Sequence, residues 1–282
     1  MAQVVRIIPK LDIKGPNLVK GIHLEGLRVL GKPEDYAEYY YQNGADELLY
    51  MDVVASLFER NSLDKIIQKT AKTIFIPLTV GGGIRSVKDI KRVLRAGADK
   101  VAINTAAINN PKFIAKAANI FGSSTISISI EASKQSDGEY LAFTDNGREH
   151  TGVKVFDWVK QIEKLGAGEI IITSIDKEGT GQGFDLNLTQ KITQSVSIPV
   201  VACGGAGKLE DIKAVILEGQ ANAVSLASVL HYEYVAKHKK NHDKNEGNIE
   251  FLNSGKTYNQ VKTLSILKIK KYLQQNNIPC RL

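Results

Sequence analysis

The sequence predicts an α/β fold, a (β/α)8 TIM barrel built from two fused half-barrels and spanning residues 1–282 as one domain. Three observations predict it. Short runs rich in Ile, Val and Leu alternate with amphipathic stretches through eight cycles. The chain resembles itself at an offset of 122 residues, as from Gly44 to Gly166 and from Ile76 to Ile198. Its 43% hydrophobic and 24% charged residues are those of a globular chain with a sizeable core.

The strand-like runs are 6–13, 47–53, 75–80, 100–103, 125–131, 169–174, 200–202 and 223–226. Nearly continuous apolar runs of this kind suit parallel strands buried on both faces. Amphipathic stretches at 33–42, 86–95, 111–120, 155–165 and 209–217 supply the helices between them. Asn110 before Pro111 reads as an N-cap followed by a first-turn proline, and Ser86 and Asn61 are further N-cap candidates. The polar stretch 133–151 after the fifth strand is either a lid or a long surface loop. Residues 237–258 read as an insertion before a last helix at 261–275. Both stretches follow strand ends, which places them on the catalytic face of such a barrel.

The repeat is carried by motifs as well as by spacing. Ile76-Pro-Leu-Thr-Val-Gly-Gly-Gly matches Ile198-Pro-Val-Val-Ala-Cys-Gly-Gly, and Val87-Lys-Asp-Ile-Lys matches Leu209-Glu-Asp-Ile-Lys. Gly44-Ala-Asp-Glu matches Gly166-Ala-Gly-Glu at the same offset. A tandem pair of four-strand half-barrels accounts for all three.

Composition narrows the function. No apolar run reaches the ~18–20 residues of a membrane helix, so no membrane partner is expected. The N-terminal residues go straight into a strand pattern without a signal peptide, and the two cysteines, Cys203 and Cys280, make neither a disulfide framework nor a metal motif. A reduced, cytoplasmic protein without metal or other cofactor is expected. Lys plus Arg is 37 against 30 Asp plus Glu, a net charge of +7. No basic block interleaves with aromatics, so this excess suits a phosphorylated small molecule better than nucleic acid.

The strand ends carry the chemistry. Gly81-Gly82-Gly83 ends the third strand, and Asn104-Thr105-Ala106-Ala107 follows the fourth. The same pair recurs as Gly204-Gly205-Ala206-Gly207 and Ala227-Ser228 after the seventh and eighth. Glycine turns expose backbone N–H groups and helix N-termini attract anions, so two matched pairs suggest a substrate with a phosphate at each end. Asp12 ends the first strand and Glu131 the fifth, opposite one another across the mouth, as a general acid–base pair would be. The plainer reading of either is a structural partner for Lys20 or another base. Lys20 and Asp52 are candidates to orient the substrate; Glu178, beside Gly179, is either an assisting group or a solvated loop charge. Arg6, Glu47, Lys100 and Glu169 each start a strand. Pointing inward, they form a neutral ring on the barrel floor, either for stability or as a gate for a small molecule.

Ile7-Ile8-Pro9-Lys10-Leu11-Asp12-Ile13-Lys14, Pro77-Leu-Thr-Val-Gly-Gly-Gly-Ile-Arg85, Gly97-Ala-Asp-Lys-Val-Ala-Ile-Asn-Thr-Ala-Ala107 and Gly166-Ala-Gly-Glu-Ile resemble the cyclase subunit of imidazole glycerol phosphate synthase. The resemblance covers nearly the whole chain apart from 237–258. It implies a barrel acting in histidine biosynthesis. A partner glutaminase subunit makes ammonia at the floor, and the ammonia crosses the barrel to a bisphosphorylated ribulosyl-formimino-carboxamide substrate. The products are imidazole glycerol phosphate and aminoimidazole carboxamide ribotide. The resemblance assigns Asp12 and Glu131 to catalysis. It assigns Lys20, Asp52, Asn104, Glu178 and Gly179 to substrate contacts, and Gly83 with Thr105, and Gly204 and Gly205 with Ala227 and Ser228, to the phosphates. Arg6, Glu47, Lys100 and Glu169 become the ammonia gate, and Asp99 part of the glutaminase docking surface. The chain departs from the family pattern at Glu131 and Glu178, where aspartate is usual, at Lys10, where cysteine is usual, and at Cys203, where serine is common. The two glutamates in place of aspartate and the insertion at 237–258 motivate an alternative, a paralogue that passes ammonia to a sugar amidotransferase in surface-glycan synthesis. A related single-chain isomerase also binds two phosphates, but it needs no gate.

Overall fold

The structure, a computed structural model, describes residues 4–55, 63–238 and 261–282. β1 (Arg6–Lys14) leads into an antiparallel hairpin, β2 (Asn17–Ile22) and β3 (Glu25–Gly31), and then α1 (Pro33–Gln42). β4 (Leu48–Asp52), α2 (Asp64–Thr70), β5 (Leu78–Gly81), α3 (Val87–Ala96) and β6 (Lys100–Ile103) continue the alternation. Two helices, α4 (Thr105–Asn109) and α5 (Lys112–Phe121), precede β7 (Ile126–Lys134). A second hairpin, β8 (Tyr140–Thr144) and β9 (Glu149–Lys154), extends β7. The second half runs α6 (Val155–Lys164), β10 (Glu169–Ser174), α7 (Leu186–Thr193), β11 (Val200–Cys203), α8 (Leu209–Leu217), β12 (Ala223–Leu226), α9 (Ser228–Lys237) and α10 (Ile266–Gln275).

The eight parallel strands pair in the order β1, β4, β5, β6, β7, β10, β11, β12, and β12 closes back on β1 with Arg6 opposite Ala223. Side chains alternate across each strand, which divides the apolar residues into two cores. Ile7, Leu11 and Ile13 face outward into the large core under the helices. Ile8 faces inward with Leu49, Ala102, Ile171, Val201 and Ala223. That small inner layer fills one level of the lumen. The residues two positions further along each strand sit above it, and those two positions before lie below it.

The internal repeat is written in the backbone. Gly44 and Gly166 have φ of 83° and 92°, and Gly82 and Gly204 have 93° and 94°. The residues before α4 and α9, Asn104 and Ala227, share φ,ψ of −120°, −88° and −122°, −81°.

Most expected elements form where the periodicity puts them, and 33–42 and 209–217 agree to the residue. Ser86 caps α3 by accepting from the Asp89 N–H. Four expectations are corrected. The third strand begins at Leu78, not at 75: Phe75 is 81% exposed and Pro77 has no N–H for a ladder. Pro111, not Asn110, occupies the N-cap position of α5, because Asn110 already closes α4. The last helix starts at Ile266: residues 261–265 form no helix, the Leu264 N–H binds the Val229 carbonyl, and Ser265 caps the helix. The stretch 133–151 is a β-hairpin continuing the fifth barrel strand. Of the expected insertion, Lys237 closes α9; Asn61 and 239–258 lie outside the described residues.

Candidate active site at the barrel mouth

Asp12 stands near the top of β1, with Met51 of β4 and Val19 of β2 as its lateral neighbours. Its partner is Lys10, not Lys20: Lys10 Nζ lies 3.1 Å from Asp12 Oδ1. Lys20, on β2, instead reaches the loop after β10 and pairs with Glu178 at 2.6 Å. Glu178 is therefore a buried group rather than a solvated loop charge. Burial pushes its carboxyl up, but Lys20 and then Lys10 outweigh that and hold it at about 2. A carboxylate so strongly depressed stays charged throughout the working pH range.

Glu131, on β7, stands differently. It is 8% exposed and accepts one hydrogen bond, from the Gly147 N–H at 2.7 Å. Burial is the largest influence and pushes its carboxyl up to about 7, with Lys10 and Gly147 pulling against it and Asp12 and Asp145 adding to it. A carboxyl group titrating near neutrality can both hold and release a proton, as general acid–base chemistry requires.

Asp52, Gly83, Asn104, Thr105 and Glu131 line a single cavity of ≈ 320 Å³ together with Asp145 and Asn146. Gly82 permits this shape: a Cβ there would meet the Asp52 carbonyl oxygen at 2.3 Å. Asn104 donates from Nδ2 to the Phe143 carbonyl, while its buried Oδ1 has no partner among the described residues. A buried unpaired acceptor in a cavity is a place for a ligand donor. Burial also raises Asp52 above the usual carboxylate range, although the Val54 and Ala55 N–H groups pull it back. In the second half, Gly204 and Gly205 are buried, and the Gly183 N–H binds the Gly205 carbonyl. Ala227 is half-buried and Ser228, the first residue of α9, is buried. Gly179 lies where a Cβ would come within 2.6 Å of the Gly21 carbonyl, so it lets the loop after β10 pack on the first hairpin.

The two hairpins meet over the mouth. The Asn146 side chain donates to the Leu24 carbonyl at the tip of β2–β3. His23 in that tip is held by its N–H on the Glu178 carbonyl and its Nδ1 on the Ile175 carbonyl.

At the opposite end, the four floor charges form a closed ring. Arg6 pairs with Glu47 and Glu169 at 2.8 Å each, and Lys100 pairs with the same two carboxylates at 3.0 and 3.5 Å. Ser127 donates a further hydrogen bond to Glu169. Burial works against the Arg6 charge, and Glu169 and Glu47 overcome it and raise Arg6 above its ordinary value. Outside the ring, Asp99 accepts from the Leu78 N–H at 2.9 Å and is exposed beside Phe75, whose ring meets Tyr41 edge-on at 6.0 Å.

Sequence reasoning missed three contributors. Lys10 was visible as a charge two residues before Asp12, on the same strand face. The Asp145-Asn146-Gly147 tip carried a turn signature. His231 had no local signal: it is fully buried on α9, with its Nδ1 2.7 Å from the Tyr40 hydroxyl. Among the described residues no cluster of three metal-binding side chains occurs, and no helix is long and apolar enough to cross a membrane.

The chain is similar to known proteins along most of its length. The sequence profile of the family described as "Histidine biosynthesis protein" matches residues 6–236. Imidazole glycerol phosphate synthase subunit HisF of Legionella pneumophila is 60% identical over 207 residues, covering 73% of this chain and 98% of that protein. The subunit of the same name from Alkaliphilus metalliredigens is 44% identical over 231 residues, 82% of this chain and 92% of its own length. That of Methanocaldococcus jannaschii is 44% identical over 262 residues, with coverages of 86% and 96%.

Proposed function

The chain belongs to the histidine biosynthesis protein family, among its HisF subunits, and from that premise we propose that it is the cyclase subunit of an imidazole glycerol phosphate synthase. It takes ammonia from a glutaminase subunit and converts the bisphosphorylated ribulosyl-formimino-carboxamide ribotide to imidazole glycerol phosphate and aminoimidazole carboxamide ribotide. The observation that carries the reading is the pair of buried carboxyl groups, Asp12 and Glu131, on opposed strands above a lumen floored by a charged ring.

The chemistry asked of that pair is simple in outline. Addition of ammonia to a carbonyl carbon forms a C–N bond and, once the carbonyl oxygen leaves as water, a C=N bond. Closure of that nitrogen onto the formimino carbon forms the ring and breaks the C–N bond to the departing aminoimidazole carboxamide ribotide, whose nitrogen takes up a proton. The ammonia nitrogen must lose protons and the carbonyl oxygen must gain them. The Asp12 carboxylate, beside Lys10, is the acceptor, and Glu131, titrating near 7, is the donor. The substrate's two phosphates lie at the two matched strand-end pairs: Gly83 with Thr105, and Gly204 and Gly205 with Ala227 and Ser228. Asn104, Asp52, Lys20, Glu178 and Gly179 orient its middle. The apolar layer of Ile8, Leu49, Ala102, Ile171, Val201 and Ala223 favours neutral ammonia over ammonium on the way up, because a bare charge is costly to desolvate.

The glutaminase docks on the floor, where Asp99 and the exposed Phe75 lie outside the Arg6, Glu47, Lys100 and Glu169 gate. A cytoplasmic heterodimer is the assembly this implies. The relatives named above are all imidazole glycerol phosphate synthase subunits, so the glycan-directed alternative is not carried forward. The deciding assay gives the purified chain an ammonium salt and the bisphosphate substrate and follows imidazole glycerol phosphate. Turnover that Asp12→Asn and Glu131→Gln each lower by ~10²–10⁴-fold is expected. No product at high enzyme concentration removes the proposal.

A further inference from the structure

Strand β1 carries a second charge two residues before Asp12. Lys10 and Asp12 lie on the same strand face, and that face looks into the lumen, because Ile8 below them packs in the inner apolar layer. Lys10 is 5% exposed, with its Nζ 3.1 Å from Asp12 Oδ1. That oxygen is buried and has no hydrogen-bond partner among the described residues, so the ammonium is the group set against it. Neither charge is tolerable at this depth without the other.

The surrounding charges come from every wall of the mouth. Lys20 of β2 and Glu178 of the loop after β10 form their own pair, and Cys203 of β11 is a thiol pushed up to about 11 by burial. His231 of α9 is pushed down to about 3 by burial and by Lys20, and is neutral. Asp145 of the β8–β9 tip and Glu131 of β7 complete the set. With Lys20 matched to Glu178 and Lys10 to Asp12, Glu131 is left without an ion pair among the described residues. Burial alone pushes the Lys10 amine down, and Asp12 foremost, then Cys203 and Glu178, overcomes this and holds it well above the usual lysine range.

We propose that Lys10 is a positioning residue for the cyclase step: its ammonium holds the Asp12 carboxylate toward the lumen, so that the proton-donor role falls to Glu131. The inference rests on the reading of Asp12 and Glu131 as the working pair. It also gives the lysine at this position a reason. Where Glu131 is one methylene longer than aspartate, a fixed Asp12 keeps the two carboxyl groups in distinct roles.

The test compares wild type with Lys10→Met, Lys10→Arg and Lys10→Cys in the ammonium-dependent assay across pH. Lys10→Met is expected to lower kcat roughly 10–100-fold while KM stays near its wild-type value, because Lys10 lies one step deeper along β1 than Asp12 and acts through it. Lys10→Arg restores part of kcat. The alkaline limb of the pH profile moves upward in Lys10→Met, since Lys10 is among the charges pulling Glu131 down. Unchanged kcat, or a loss confined to KM, overturns the proposal. Lys10→Cys serves if methionine prevents folding. If wild type itself shows no turnover, the proposed function fails separately, and Lys10 is judged by carbon-13 NMR titration of the Glu131 carboxyl, assigned with Glu131→Gln. A midpoint unmoved by Lys10→Met then sinks the inference whatever the chain's activity.

Discussion

Glu131 bears on stability as well as on the chemistry proposed for it. Its folded value is raised to about 7 from an ordinary 4.5, so its contribution to folding is fully present below 4.5 and is lost as pH rises through 7. Glu131→Gln is therefore expected to be more stable than wild type at pH 8, by roughly 2–3 kcal/mol, with the difference shrinking toward pH 5. Urea midpoints at the two pH values measure this; equal midpoints at pH 8 contradict it. His231 has the opposite slope. Its folded value is depressed to about 3 from 6.5, so its contribution is present above 6.5 and declines as pH falls toward 3. That loss is roughly 2 kcal/mol at pH 5. Between pH 7 and 5 the two residues offset each other. In His231→Phe the acid slope disappears and stability rises from pH 7 to 5, read from the same midpoints.

Among the elements, the two hairpins were the hardest to read and are the most closely tied to the site. The β2–β3 tip turns at His23 and Leu24 with φ of 51° and 64°, a region that bulky residues avoid. Nothing local announces such a turn. It is held by contacts from Glu178, Ile175 and Asn146, residues more than 100 positions away, and a window on the sequence does not see them. The β8–β9 tip is the opposite case. Asp145, Asn146 and Gly147, with φ of 53°, 60° and 77°, are residues suited to this region, but the polarity of 133–151 masks its alternation. Gly147 ties this element to the proposed acid–base pair, since its N–H binds Glu131 and a Cβ there would meet Leu24 at 3.0 Å and Ile175 at 3.2 Å. Gly147→Ala is expected to cost roughly 1 kcal/mol or more of stability from its positive φ. It should lower kcat about 10-fold by shifting the Glu131 partner. Thermal melting and steady-state kinetics on one preparation check both; a variant that melts lower with unchanged kcat separates the hairpin from catalysis.

At the scale of the molecule, one ring of charge closes the floor and two ion pairs furnish the mouth, with a thin apolar layer between. Lys100→Met leaves Glu47 and Glu169 to share Arg6 alone. Unfolding experiments are expected to show a loss of roughly 1–3 kcal/mol, moderated because the ring is partly wet. With the glutaminase present, glutamine-dependent turnover should change more than ammonium-dependent turnover; equal effects on both make the ring a structural plug. By itself, the sequence determined the eight strands to within a few residues, the five helices it placed between them and the two-fold repeat, but not the start of the last helix, because apolar periodicity and glycine turns are local or recur at fixed spacing. It also placed Arg6, Lys100 and Glu169 at strand starts and Glu47 beside one, whereas Asp12 and Glu131, read as strand ends, lie two and three residues inside β1 and β7. Only the tertiary structure decided the pairings: Lys10 rather than Lys20 beside Asp12, Lys20 with Glu178, and Glu131 on the Gly147 N–H with no ion pair among the described residues. The reason is physical. Which strand a residue belongs to follows from its neighbours in the chain, but which charge it meets, and how far its proton affinity moves, follows from burial and from groups that only barrel closure brings within a few ångströms.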